Sequence, residues 1–121
     1  MLRGVRGAVQ VKLNDSVAIL DAAQELLSAI IEANFIQMEQ VSAVFFTVTP
    51  DLTAVFPAEV RKRIEWDLVP FLCSQEIAVL GAMERVIRVL ILFETDLKQD
   101  EIRHQYLGAT IALRPDMKAS G

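Results

Sequence analysis

The chain has 121 residues, one cysteine, one histidine and a net charge of −4 from 12 basic and 16 acidic side chains. This length fits one domain, 1–121, whose single thiol excludes an intrachain disulfide and argues against a metal cluster. No basic stripe alternates with aromatics, so a nucleic-acid partner is not expected, and no apolar run reaches the ~18 residues of a membrane span.

The opening MLRGVRG carries positive charge but no apolar stretch follows it, so a signal peptide is not expected and a cytoplasmic protein is the default. An apolar fraction of 53% is high for a small domain and points to burial against copies of itself.

VRGAVQVKL, Val5 to Leu13, alternates as a first strand, and NDS, Asn14 to Ser16, then offers N-capping side chains. Val17, Leu20, Ala23, Leu27, Ile30 and Ile31 recur at three- and four-residue steps, predicting an amphipathic helix to about Asn34. Its acids Asp21, Glu25 and Glu32 fall on the other face. VSAVFFTVT, Val41 to Thr49, reads as a buried strand stopped by Pro50.

A loop from Pro50 to Ala58 carries Leu52, Val55 and Phe56, and Glu59 to Ile64 reads as a short basic helix after Pro57. WDLVPFLC, Trp66 to Cys73, predicts a third strand, with Pro70 arguing for an edge or a bulge. Gly81 marks a turn before RVIRVLILFET, Arg85 to Thr95, a β-branched and aromatic run that holds Arg88. Gln99 to Leu107 predicts a short helix closed by Gly108, and Thr110 to Asp116 a last short strand. The tail KASG, Lys118 to Gly121, is small and polar and is expected to be mobile. The fold class is α+β: a mixed β-sheet with one long helix and one or two short ones.

The usual catalytic constellations are missing from this pattern. No Ser/His/Asp order, Gly-rich phosphate loop or metal-ligand spacing is present, and no metal or cofactor is implied. His104, in a polar segment, reads as a solvated surface histidine, and Cys73 in LCSQE has no evident activating partner. What stands out is arginine. Arg6 lies within the first strand, Arg88 within the apolar run, and Arg114 just after IAL. A guanidinium keeps its charge, so each needs an anion. That anion is either a ligand on which the arginines converge or a protein carboxylate such as Glu76, Glu84 or Glu94.

RGVRGA, TPDLTAVFPA, WDLVPFLCSQE, IRVLI, DEIRHQYL and LRPD, running in order from Arg3 to Asp116, resemble the monofunctional, trimeric chorismate mutases of the mixed α/β class. The resemblance implies a homotrimer built as a pseudo α/β-barrel, with active sites at subunit interfaces, and the Claisen rearrangement of chorismate to prephenate. Such a one-substrate pericyclic step needs no nucleophile, metal or proton shuttle, which accounts for the empty catalytic inventory.

By motif, Arg88 matches the essential arginine at the breaking ether oxygen, and Arg6 with Tyr106 the groups that hold a substrate carboxylate. Glu76 and Cys73 match groups near the ring hydroxyl, with Phe71 and Leu72 beside them, while Phe56 and Ala58 match the wall supplied by the neighbouring subunit. Leu113 and Arg114 match the C-terminal pair at the mouth of the site. Two departures are visible. Glu59 stands where the family often has lysine, in a segment one residue shorter, so the interface cation maps to Arg61 or Lys62. Leu72 stands where a threonine is common, removing a hydroxyl near the ring. Two other classes fit strand arginines: a trimeric enamine/imine deaminase-like hydrolase and a non-catalytic anion-binding trimer.

Overall fold

The computed structural model describes residues 1–114. Its strands are β1 (Leu2–Gln10), β2 (Val41–Val48), β3 (Phe71–Gln75), β4 (Val86–Glu94) and β5 (Gln105–Tyr106), with one α-helix, α1 (Ser16–Asn34). The strands form one sheet in the order β3-β2-β4-β1-β5. β4 runs antiparallel to both β1 and β2, while β3 adds parallel to β2 and β5 parallel to β1. The sheet is therefore mixed, as the α+β reading expects.

The alternation of β4 sets the two faces of the sheet. Ile87, Val89, Ile91 and Phe93 are at most 3% exposed and face α1, whereas Arg88, Leu90 and Leu92 turn to the other side and are half-buried. Register carries this division into the neighbours. Arg88 lies opposite Ala8 of β1 and Thr47 of β2, so all three share the outer face. α1 covers the inner face with Ile19, Ala23, Leu26, Leu27 and Ile30, all fully buried.

The helix begins as its sequence demands. Asp15 accepts a hydrogen bond from the amide of Ala18 at 3.1 Å, which satisfies one orphan donor of the first turn. It ends at Phe35, left-handed at φ 55°, with the Phe35 and Ile36 amides both returning to the carbonyl of Ile31. Its buried stripe is rotated from the predicted one. Ile19 and Leu26 are in the core while Val17 is 60% exposed, and Asp21, Glu25 and Glu32 face solvent as expected.

Four sequence expectations are corrected. The third strand starts at Phe71, not Trp66. The segment before it folds into turns closed by bonds from the Trp66 amide to Arg61 O and from the Val69 amide to Trp66 O. Pro70, lacking an N–H, stands just outside the ladder, and β3 is an edge strand as its proline suggests. The short basic helix is a 3-10 turn, Pro57–Lys62, beginning two residues earlier.

Gln99–Leu107 is not a helix. Only Gln99–Glu101 forms a 3-10 turn, and β5 follows. The buried Asn34 side chain brackets Arg103, donating to its carbonyl at 3.0 Å and accepting from its amide at 2.8 Å. That clamp holds the chain extended alongside β1. Gly108–Leu113 is likewise a 3-10 helix and not a strand. The Thr110 hydroxyl ties it to Ala8 O at 3.0 Å and to Leu107 O at 2.7 Å. The end of the expected last strand and the tail Lys118–Gly121 lie outside the described residues.

Candidate active site

Four strands bring Arg6, Glu76, Arg88 and Tyr106 to the outer face. Arg88 projects from the centre of β4, Arg6 from β1, opposite Leu90, and Tyr106 from β5, opposite Ala8. Glu76 follows the end of β3, where its amide donates to Val48 O at 2.9 Å and extends the ladder by one residue. Arg6, Arg88 and Tyr106 line a depression of about 290 Å³ with Phe45, Thr47 and Leu90 among others, and Glu76 reaches its edge through Thr47 and Arg88. Arg6 is exposed and so accessible, whereas Tyr106 is only 5% exposed.

Glu76 is the protein anion that Arg88 meets. Arg88 Nε lies 3.0 Å from Glu76 Oε2, yet this buried nitrogen has no hydrogen-bond partner among the described residues. The contact is thus an ion pair by distance without an aligned N–H···O bond. Thr47 Oγ1 donates to the same Oε2 at 2.6 Å. The two terminal nitrogens of Arg88 have no protein acceptor among the described residues and remain available to a ligand. The carboxylate reading of Arg88 is met on one side of the guanidinium, while its terminal nitrogens have no acceptor among the described residues.

The remaining predicted residues gather elsewhere. Cys73 lies opposite Phe46 on β2, hence on the inner face, and Phe71 opposite Val44. Cys73 borders a cleft of about 790 Å³ with Val55, Phe56, Pro57 and Glu59. Phe56 is 70% exposed at its rim. Burial pushes the Cys73 thiol up, opposed by the Ala58 backbone and by the charge of Arg61, which places Ala58 and Arg61 beside the sulfur. Arg61 Nη1 donates to Ala58 O at 3.2 Å and lies 3.5 Å from Glu59, while the more exposed Lys62 meets Glu59 at 2.9 Å. The hydrogen bond and charge of Lys62, with the charge of Arg61, hold the Glu59 carboxyl below its ordinary value. Leu72, on the outer face opposite Phe45, is 59% exposed. Leu113 packs with Ala8, Val86 and Tyr106, and Arg114 follows it. The chain therefore carries two separate groups, Arg6–Glu76–Arg88–Tyr106 on the outer face and Phe56–Ala58–Arg61–Cys73 about the second cleft.

The chorismate mutase type I family model matches residues 2–117. The chain belongs to that family. This chorismate mutase is 48% identical over 121 residues to chorismate mutase AroH of Thermus thermophilus, covering 99% of each chain. It is 44% identical over 118 residues to chorismate mutase AroH of Bacillus subtilis strain 168, covering 97% of this chain and 93% of that one. Among solved structures, the chorismate mutase from Clostridium thermocellum superposes with a TM-score of 0.89 at 34% identity, covering 91% of this chain and 98% of that one. The activity is that of an isomerase in aromatic amino acid biosynthesis.

Two contributors to this site were not identified from sequence. His104 is not a solvated helical residue: it is half-buried, and its Nδ1 accepts the Arg6 amide at 2.9 Å. Thr47 was read only as part of an apolar strand. Its signal is a hydroxyl in FFTVT at the same strand parity as the arginine face. No helix among the described residues is long and apolar enough to cross a membrane.

Proposed function

We propose that the chain rearranges chorismate to prephenate at sites completed between copies of itself in a cyclic trimer. The observation that carries this reading is the half-engaged Arg88: Nε is paired to Glu76 while the terminal donors are open. The uncatalysed obstacle is twofold, since a flexible dicarboxylate must adopt a compact chair and negative charge must be met at the breaking ether oxygen. Arg88 supplies the second need. Its strand is flanked on both sides by hydrogen-bonded neighbours, so the guanidinium is aimed before substrate arrives. Arg6 and Tyr106 hold one substrate carboxylate, and Glu76 accepts the ring hydroxyl.

The other group acts from a neighbouring copy. Phe56 and Ala58 wall the site, Arg61 supplies the interface cation, and Cys73, with Phe71 and Leu72, borders the ring. Arg61 is chosen over Lys62 because its charge reaches Cys73 and its side chain is the less exposed, 32% against 67%. Leu113 and Arg114 stand at the mouth. The two groups line different clefts of one chain, which suits a site shared between copies, and exposed Phe56 and Leu72 supply apolar surface for it. A single domain over 1–121 and a barrel-like packing of sheets complete the reading. The test is incubation of the pure protein with chorismate, following prephenate. Conversion no faster than in buffer sinks it.

A further inference from the structure

We infer that Thr47 is a positioning residue for the reaction, acting through Glu76 to keep Arg88 open; the inference rests on the reading of the site just given. Thr47 and Arg88 lie directly opposite each other in the β2–β4 ladder. Glu76 reaches across to both. Its Oε2 takes the Thr47 hydroxyl hydrogen at 2.6 Å and sits 3.0 Å from Arg88 Nε. Oε1 makes no hydrogen bond or ion pair among the described residues. One oxygen is therefore fixed twice, and the other is left for a ligand.

This arrangement is not the one a carboxylate and a guanidinium adopt when left alone. The strongest geometry is the fork, with both oxygens bonded to two parallel N–H groups. Here Nε, although buried against Oε2, is not in hydrogen-bond alignment with it. The Thr47 hydroxyl opposes the rotation that would close the fork. Closing it would consume a terminal donor of Arg88 and engage Oε1 as well. Thr47 thus holds the pair half-made, and substrate meets donors that need not first be released from protein.

Removing the hydroxyl lets the fork close in the free enzyme, so binding must reopen it. The competent fraction falls and the apparent affinity falls with it. In Thr47→Val, KM rises about 10-fold while kcat stays within about threefold, the loss expected for one hydrogen bond to a charged group. Thr47→Ser, which keeps the donor, restores KM. Thr47→Ala is measured alongside, so the result does not hinge on the folding of one variant. A merely structural role is separated by a cycle read as the Kd for prephenate: in a Glu76→Ala background, Thr47→Val changes nothing further. Unchanged KM in both Thr47→Val and Thr47→Ala, failure of serine to restore it, or a loss that persists without Glu76 each overturns the inference. An inactive wild-type protein overturns the underlying reading and this one together, whereas an active one with an unaltered Thr47→Val overturns this one alone.

Discussion

The main-chain amide of Arg6 donates to Nδ1 of His104 at 2.9 Å, so a side chain extends the β1–β5 ladder beside the arginine that faces the depression. The acceptor must be the neutral ring with its proton on Nε2. Burial, then the charges of Arg6 and Arg114, lower the His104 pKa from the ordinary 6.5. The unfolded chain therefore takes up this proton first as pH falls. Stability from this residue is complete above pH 6.5 and is lost as pH falls from there through the lowered folded value. Urea midpoints at fixed protein concentration should fall across that window. In His104→Asn, whose side-chain oxygen accepts the same bond without titrating, this part of the slope should vanish. An unchanged slope assigns the pH dependence to other groups.

Gly7 is fixed by close approach and not by a turn. A Cβ there would stand 2.6 Å from Gln105 O, 2.8 Å from Ile30 Cδ1 and 2.9 Å from Leu26 Cδ1. The backbone oxygen belongs to β5 and the two methyls to the fully buried stripe of α1, so relief requires moving an element. Gly7→Ala is expected to lose about 1–3 kcal/mol, seen as a lower urea midpoint with the slope retained. Because Arg6 and Tyr106 sit on either side of this contact, KM should rise as well. A variant as stable as wild type would show that β5 can shift at little cost.

Arg88→Ala should leave the fold intact, since the Arg88 side chain is 43% exposed and its only side-chain ion pair among the described residues is the unaligned one with Glu76. Turnover should fall by at least about 10²–10³, the loss typical of one preorganised donor at a developing charge. Circular dichroism and sedimentation distinguish the two effects. An unfolded variant would make Arg88 a structural ion-pair member and nothing more. Arg88→Lys should also fall well short of wild type, because an ammonium cannot reproduce the fork of donors.

Much of this was legible because period and chemistry agreed. The α1 pattern, the Asp15 cap region and the β-branched, aromatic run around Arg88 predicted their elements directly. The failures occurred where tertiary contacts override local signals. QDEIRHQYL has helical composition, but the Asn34 clamp on Arg103 and pairing with Gly7 and Ala8 hold it extended. WDLVPFLC looked like a strand because Trp66, Val69 and Phe71 are apolar, yet the first two are buried in turns. Arg6, Glu76, Arg88 and Tyr106 were singled out by motif resemblance, and the fold brings them to one face. Thr47 and His104 escaped because each is visible only through its bond to Glu76 or to the Arg6 amide, and such a contact depends on register, which no local pattern contains.

The division of the predicted residues between two groups gives the most discriminating experiment. Arg88→Ala disables one group and Arg61→Ala the other, and each variant alone should be nearly inactive. If a site draws one group from each of two copies, refolding the variants together creates interfaces in which both groups are intact. With random assembly in a cyclic oligomer, an intact Arg88 comes from half the copies and an intact Arg61 from the other half. Recovered activity should approach roughly a quarter of wild type, independent of the order of mixing. Mixing without unfolding should recover nothing until subunits exchange. If co-refolded samples stay as inactive as the separate ones while assembling normally, the two groups do not serve one shared site. Phe56, Ala58, Arg61 and Cys73 would then have no part in the chemistry.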